Sequence, residues 1–408
     1  MQNLTSLLGI AAMIGLAWMM SSHKDKFPWR TVVSGLILQF AFAVIFLKTD
    51  QGRWLFQQVD FIFVSLLDCV SAGTSFVFGE SYTEHFFAFK VLPTIIFFSA
   101  FMSIFYYYGI MQKIVGVMAL VMQKTMRTSG AETLSAAANV FVGQTEAPLV
   151  IKPYINTMTM SELNAVMIGG FATMAGGVLG ALASMGFDAG NLLCASMISA
   201  PGGLLLAKVI QPELGEPKTM GSVKIDIKDE SANVLESIAN GTVGGLQLAL
   251  NVGAMLIVFL ALIAVINGIL GWAGGFAGFT GDNAWSLEAG LGKLFWPIAW
   301  LIGIETQDCA AAGQLLGLKM ATNEFVAYGQ LAKFNTPAST VEISERTRDI
   351  MMFALCGFAN FSSIGIQLGG IGGMAPERRG DLARLGLRAM LGGTLASFMT
   401  ACFAGLLL

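Results

Sequence analysis

Uncharged stretches of spanning length recur along the chain at residues 4–20, 31–47, 91–111, 163–187, 189–207, 237–281, 350–376 and 389–408. A helix needs about 20 apolar residues to cross the hydrocarbon core, so this pattern predicts eight membrane spans. The sixth, Ser237 to Gly281, is too long for one upright crossing. It predicts a long tilted helix with a glycine-rich exit, "GWAGGFAGFTG". Between the second and third spans, "RWLFQQVDFIFVSLLDCV" (53–70) reads as an amphipathic helix lying along the interface. The run Leu4 to Met20 has no basic region ahead of it and no small-residue cleavage site, which predicts a retained helix.

Two stretches fit no simple span. Thr133 to Ile151 carries one charge, Glu146, with Gly143 and Pro148 interrupting it. Gly ends a helix readily and Pro suits the first turn of the next. Two arms of about nine residues would each reach only about 14 Å, half a bilayer. The pattern therefore predicts a re-entrant hairpin whose tip stops near the midplane. The second stretch is "DCAAAGQLLGLKMATNEFVAYGQL" (308–331), where Glu324 sits among small and apolar neighbours.

The chain resembles itself around these hairpins. "SELNAVMIGGFATMAGGVLG" (161–180) follows the first and "SERTRDIMMFALCGFANFSSIG" (344–365) follows the second. Both begin Ser-Glu and both reach Gly-Phe-Ala, at 170–172 and 357–359, before a run of small or polar residues. Small residues in mid-span let helices approach closely, and irregular backbone at that depth survives only around a cavity. The reading is an inverted repeat with interrupted helices, which points to a transporter binding site at the midplane.

Composition agrees. Of 408 residues 55% are hydrophobic and 12% charged, against about 25% charged in soluble domains. Counting basic residues gives the orientation. With the N-terminus outside, fifteen of the 23 Lys and Arg fall in inner loops (three, four, four and four in succession) and eight outside. That bias predicts both termini outside. The five cysteines are widely spaced and there are two histidines, so neither a disulfide framework nor a histidine-based metal or catalytic centre is indicated.

A cavity lined by both repeats would offer Gln144, Thr145 and Glu146 from one hairpin tip, and Glu324 from the other. Asn360, Ser362 and Ser363 would come from the second interrupted helix, with Phe171 and Phe358 as apolar faces. The set is rich in hydrogen-bonding groups and has no Arg, which suits a neutral polyhydroxylated solute better than an anion. A single Asn, Ser or Thr in such helices is ordinarily packing glue. Intramembrane carboxylates are functional by default, so Glu146 and Glu324 carry the reading. Glu305 and Asp308 read as solvated or capping, and the mixed-charge loop 212–233 as a plain connector. Sodium would find side-chain oxygens at Asn139 and Thr173, beside carbonyls freed at the helix breaks. An intramembrane hydrolase using the two carboxylates is the rival from another class. It lacks a nucleophile–base pair and leaves the repeat unexplained. A channel is disfavoured because opposed hairpins imply alternating access.

At these residues the sequence resembles the concentrative nucleoside transporter family. The resemblance is carried by "GQTEAPL", "ELNAVMIGGFATMAG", "MISAP", "NEFVAY" and "ALCGFANFSSIGIQLGG", with "MAPERRGDLARLGLRA" and "FMTACFAG" behind them. It covers residues 85–408 well, and the first 84 only in hydropathy and in "GTSFVFG" (73–79). The resemblance implies an all-α, elevator-type homotrimer with eight transmembrane helices and two opposed re-entrant hairpins. It implies a scaffold at 1–110, a first transport repeat at 111–233, a further scaffold span at 234–281 and a second transport repeat at 282–408. It places Gln144, Thr145, Glu146 and Val178 at the nucleobase, Phe358 packed on it, and Glu324, Asn360 and Ser363 at the ribose hydroxyls. Sodium would fall on the Asn139 and Thr173 side chains and the carbonyls of Val142, Thr173 and Met174. Thr173 stands where close bacterial relatives have Ser, which keeps the hydroxyl. Proton-coupled members carry Gly-Gln-Ser-Glu-Asn in place of "GQTEAP", a difference that favours sodium. The expectation is a sodium-coupled nucleoside symporter of the bacterial inner membrane, in contact with lipid, with no cofactor and no nucleic-acid partner. A proton-coupled version with Glu146 as the titrating group is the alternative.

Overall fold

The computed structural model describes residues 2–220, 231–276, 278, 279, 281, 284–337, 339 and 341–408. Residues 221–230 of the expected connector thus lie outside the described residues. Every regular element among those described is helical. The chain opens with α1 (Gln2–Met19), α2 (Trp29–Lys48), α3 (Asp50–Phe78) and α4 (Leu92–Tyr107). A first series of six follows: α5 (Ile110–Met126), α6 (Gly130–Ala138), α7 (Lys152–Ile155), α8 (Met160–Ala172), α9 (Gly176–Ser184) and α10 (Ala189–Ile210). After the 43-residue α11 (Val234–Phe276) comes a second series: α12 (Leu287–Ile302), α13 (Cys309–Ala321), α14 (Glu324–Lys333), α15 (Glu345–Leu355), α16 (Phe361–Met374) and α17 (Arg379–Leu407).

The two series share a plan. Each runs from a leading helix through a hairpin, then an interrupted helix, then a long unbroken one. All eight expected spans are present as helix: α1, α2, α4, α8 with α9, α10, α11, α15 with α16, and α17. One expectation is corrected. Gly271, Gly274 and Gly275 lie inside α11, so the helix continues through most of the supposed exit. In hydrocarbon a backbone has no water to turn to, and helix is the cheapest way to satisfy it even at glycine. Glycines also let α11 approach α4: a Cβ on Gly245 would lie 2.8 Å from the Ile96 Cα.

The direction of each hairpin follows from α1. Ser22 N donates to Ile210 O (3.0 Å), which sets the end of α1 beside the end of α10. Ser6 Oγ donates to Ile302 O (2.9 Å), which sets the start of α1 beside the end of α12. The first hairpin begins and ends at the α10 end. Ser129 Oγ donates to Glu162 Oε1 (2.6 Å), and Gly130 N donates to Thr219 O just beyond α10. There Lys208 and Glu132, both buried, form an ion pair at 2.7 Å. Breaking such a pair costs about 3–5 kcal/mol, which anchors the hairpin at its base. The second hairpin begins and ends at the α12 end. Ser344 N donates to Asp308 Oδ2 (3.0 Å) and Arg346 Nη1 to Gly303 O (2.7 Å). Asp308, expected to be solvated or capping, is buried and makes no side-chain cap bond to α13; its carboxylate instead ties down Ser344 N. The hairpins enter from opposite ends of α1 and their tips meet between.

Among the described residues eight helices are long and apolar enough to cross a membrane, α3 included. Contacts place both ends of α3 on one side. A Cβ on Gly190, at the start of α10, would lie 2.4 Å from Phe56 O, and Ala189 N donates to Asp60 Oδ1 (2.9 Å). The far end returns to the start of α4, where Phe78 stacks on Phe89 with ring centroids 4.6 Å apart. Helix α4 runs antiparallel to α9, since Gly176 faces Met102 and Gly180 faces Phe98. Its start therefore lies at the same end as the start of α10.

Candidate functional site

Helix α6 opens with a capping box at Ser129 and Glu132 and stops at Ala138. The chain then turns through residues 139–146 before Pro148 opens a short 3-10 helix, Ala147–Ile151. The arms are nine residues each, 130–138 and 147–155, the expected length but reaching beyond the expected Thr133–Ile151 at both ends. Gly143 lies close under Glu146: a Cβ there would meet Glu146 Oε2, the flexible end of that side chain. Gln144 is buried, and its Oε1 accepts from Gln367 Nε2 (3.0 Å), which also donates to Met167 O (3.1 Å). That pairing directs the Gln144 oxygen toward Gln367 and fixes the orientation of the amide.

At the second tip, Asn323 caps α14 by accepting from Val326 N (3.0 Å), so Glu324 is the first helical residue. A carboxylate is favoured there by the unpaired N–H groups of the first turn. Asn360 Nδ2 donates to Glu324 Oε2 (3.1 Å), while Asn360 Oδ1 accepts from Ser363 N (2.9 Å) and Ser362 Oγ (2.7 Å). Asn360 thereby caps α16 and orients Glu324 together. The two helix breaks touch. Gly357 has φ +101°, and a Cβ on it would lie 2.6 Å from Phe171 O, at the end of α8. The Gly-Phe-Ala repeats therefore meet each other.

Between the tips lies a cavity of about 340 Å³. It is lined by all eight expected ligand residues, Gln144, Thr145, Glu146, Val178, Glu324, Phe358, Asn360 and Ser363, and by Ser362. No Lys, Arg or His is among the lining residues. Glu146 is exposed and faces this cavity, while Glu324 is buried. Phe171 corrects an expectation. It is fully buried under α17, where a Cβ on Gly393 would press against its Cβ, and it is not among the residues that line the cavity.

Sequence reading missed the wall supplied by α11. Gln247 and Asn251 line the cavity, joined by a hydrogen bond from Gln247 Nε2 to Asn251 Oδ1 (3.0 Å), with Leu248, Val252 and Met255 beside them. Two amides at i and i+4 share a helix face. Such a pair within an uncharged 45-residue run was the available signal. Gln367, which orients Gln144, and Tyr106 were missed as well. The Tyr106 hydroxyl is buried with no hydrogen-bond partner among the described residues.

The residues expected at sodium converge beside the first break. Asn139 is fully buried; its Nδ2 donates to Ser135 O (3.0 Å) and its Oδ1 accepts from nothing. Thr173 Oγ1 donates to Gly169 O (2.9 Å), which leaves its lone pairs free. A Cβ on Gly169 would lie 3.4 Å from Asn139 Nδ2, so the two side chains share one wall. Val142 lies in the tip turn, and Met174, whose N–H donates to Ser196 Oγ (3.2 Å), lies in the break between α8 and α9. A buried acceptor left unpaired costs about 1–3 kcal/mol. The orphaned Asn139 oxygen thus fits a hard cation held by oxygens.

Three family models match the chain: "Na+ dependent nucleoside transporter C-terminus" over 191–405, "Na+ dependent nucleoside transporter N-terminus" over 8–81 and "Nucleoside recognition" over 88–187. The chain belongs to the sodium-dependent nucleoside transporter family. An uncharacterized transporter of Haemophilus influenzae is 46% identical over 412 residues, covering 100% of this chain and 98% of its own. Sodium/nucleoside cotransporter 2 of Mus musculus is 41% identical over 421 residues, covering 100% of this chain and 63% of its own. The structure of CNTnw in an inward-facing substrate-bound state is similar at TM-score 0.92 and 43% identity, over 100% of this chain and 98% of that one. A doubly substituted CNTnw in an outward-facing state matches at 0.91 and 42%, with the same coverage. Family likeness reaches the first 84 residues too, further than the resemblance in the sequence suggested. A multi-pass nucleoside transporter, not an enzyme, is what these matches show, and the hydrolase reading of the paired carboxylates falls.

Proposed function

We propose that this transporter is a sodium-coupled symporter that imports nucleosides by alternating access. The observation that carries the reading is the cavity where both hairpin tips and both helix breaks converge, lined by two carboxylates, amides and hydroxyls with no cationic side chain. In this reading Glu324, Asn360 and Ser363 hold the ribose hydroxyls and Phe358 packs on the base. Gln144 donates to the base edge, with Thr145, Glu146 and Val178 around it. Asn139 and Thr173, with the carbonyls of Val142, Thr173 and Met174, bind the sodium that travels with the substrate. The ion would join the first hairpin to the first broken helix and so complete the nucleobase side of the site.

The same reading takes the hairpins as re-entrant, which their paired bases and opposed entry support. It takes α3 as lying along the interface, since both its ends sit at one end of the bundle. The two six-helix series form a transport body that moves elevator-fashion against α1, α2, α4 and α11 in a homotrimer. Both termini face outward from a bacterial inner membrane. The wall supplied by α11 is the scaffold surface past which the site would slide.

Uptake of a labelled nucleoside panel into proteoliposomes, with sodium and proton gradients imposed separately, tests this. Sodium alone should drive accumulation. An inside-negative potential should add about 2.3 kcal/mol per 100 mV for one cation carried with a neutral nucleoside. Uptake driven by a pH gradient without sodium would put the proton-coupled version in its place, with Glu146 as the titrating group.

A further inference from the structure

Lys319 lies in the first arm of the second hairpin and is fully buried. Its Nζ donates to Ala354 O (3.1 Å) and Cys356 O (2.8 Å), and none of the ion pairs among the described residues includes it. A buried ammonium without a carboxylate partner is expensive, so its surroundings must supply compensation. They do: both acceptors belong to the C-terminal end of α15, where the interruption frees carbonyls and the helix dipole is negative.

The first repeat has the same arrangement with a different group in it. Asn139 stands at the end of the first arm of its hairpin, as Lys319 does in the second, and beside the C-terminal end of α8. There the side chain is neutral, and both Asn139 Oδ1 and Ser135 Oγ are buried without partners. Among the described residues, none of the buried unpartnered atoms belongs to the second hairpin or to α15. One repeat has carbonyls and an unused oxygen but no charge; the other has carbonyls and a charge of its own.

We propose that Lys319 is a tethered cation, holding the second hairpin against its broken helix as transported sodium holds the first. The inference rests on the sodium reading of the first site and extends it to the second. Lys319 is a positioning residue: it touches the end of α15 and not the cavity. Tyr328, on the other arm, donates to Met352 O (2.6 Å) and grips the same helix. The second half of the site is thus assembled without an ion, and sodium controls only the first half.

Hydrogen–deuterium exchange of the whole purified protein, in sodium and in potassium at equal ionic strength, tests this without a substitution. Sodium should slow exchange in residues 130–155 several-fold and leave 309–333 unchanged. Equal protection of both hairpins by sodium would overturn the proposal. In Lys319→Gln, which replaces the charge by an amide oxygen, exchange at 309–333 should quicken several-fold. High sodium should then slow it again, and the Hill slope for sodium in nucleoside binding should rise from about 1 toward 2. A purely structural lysine gives faster exchange with no sodium response, and that result would also overturn it. If sodium protects neither hairpin in wild type, the sodium reading of the first site fails. Lys319→Gln then still decides the clamp: fast exchange at 309–333 that high sodium slows supports it, and exchange indifferent to sodium overturns it.

Discussion

The two hairpins are built to one plan and finished differently. In the first, the tip is an eight-residue turn with an unpartnered oxygen at Asn139, another at Ser135 in the arm before it, and an exposed carboxylate at Glu146. In the second, the turn between the arms is Thr322 and Asn323, and the carboxylate, Glu324, is buried with a hydrogen-bond partner in Asn360. On the proposed reading the first tip, whose buried oxygens lack a protein partner among the described residues, is completed by its ligand, whereas the second already pairs its carboxylate. Conditional parts of a site need unpaired groups, and permanent parts need paired ones, because each buried unpaired group costs about 1–3 kcal/mol until its ligand arrives.

Substitutions can break this contrast, and the largest effect should come from the finished side. Glu324→Gln and Asn360→Ala should each weaken nucleoside binding about 100-fold, near 2.7 kcal/mol. Each removes a charge-assisted contact worth about 1.5–3 kcal/mol, and Asn360→Ala also deletes a helix cap worth about 1 kcal/mol. Sodium binding to the ligand-free protein should survive both. Calorimetry with nucleoside and with sodium separately reads this, and a nucleoside lacking the 3′-hydroxyl should lose about 1–3 kcal/mol against wild type. Unchanged affinity for that analogue removes the ribose role.

On the conditional side, Asn139→Ala should weaken sodium about 10-fold, and nucleoside affinity at limiting sodium should fall with it, because equilibrium linkage is reciprocal. Thr173→Val keeps the size and removes the oxygen, and should cost less, about 3-fold, in the same two quantities. Nucleoside affinity that stays flat across a sodium series at constant ionic strength would sink both assignments.

Smaller still is the expected effect at the base edge. Gln144→Ala, and Gln367→Leu through loss of the bond that fixes Gln144, should reorder purine and pyrimidine nucleosides by about 3- to 5-fold while sodium half-saturation holds. Equal loss across all bases, with sodium shifted, places Gln144 in the cation site instead. Smallest is Gly143→Ala. The new methyl would displace only the flexible end of Glu146, so binding should weaken about 2-fold. A loss as large as that of Asn139→Ala would show that the turn itself, not Glu146, is what glycine protects.

Much of this was legible in the chain because hydrocarbon punishes polar atoms, so any that remain stand out. Glu146, Glu324, Asn360 and the Gly-Phe-Ala repeats were visible on that ground, as were the nine-residue arms and the eight spans. What stayed hidden depends on which face a residue turns. Phe171 and Phe358 occupy matching places in the repeat, yet one is core under Gly393 and the other lines the cavity. The paired Ser-Glu signals likewise diverge. Ser344 caps α15, whereas Thr159 caps α8 and Ser161 donates instead to Gln211 O (2.7 Å). Lys319 was counted among outer basic residues, since a count of charges by loop has no way to register a lysine buried inside a hairpin.

The contact at Gly357 has a consequence for how such a chain can change over generations. The halves of the molecule meet there through main chain alone, with no side chain between the end of one interrupted helix and the end of the other. The main-chain contact itself asks only that the glycine be kept, while side-chain contacts beside it, such as Cys356 Sγ with Ser196 Oγ, can vary separately. Each half can then accumulate its own replacements without uncoupling from its partner. An amide in one and an ammonium in the other is the kind of divergence such a junction permits.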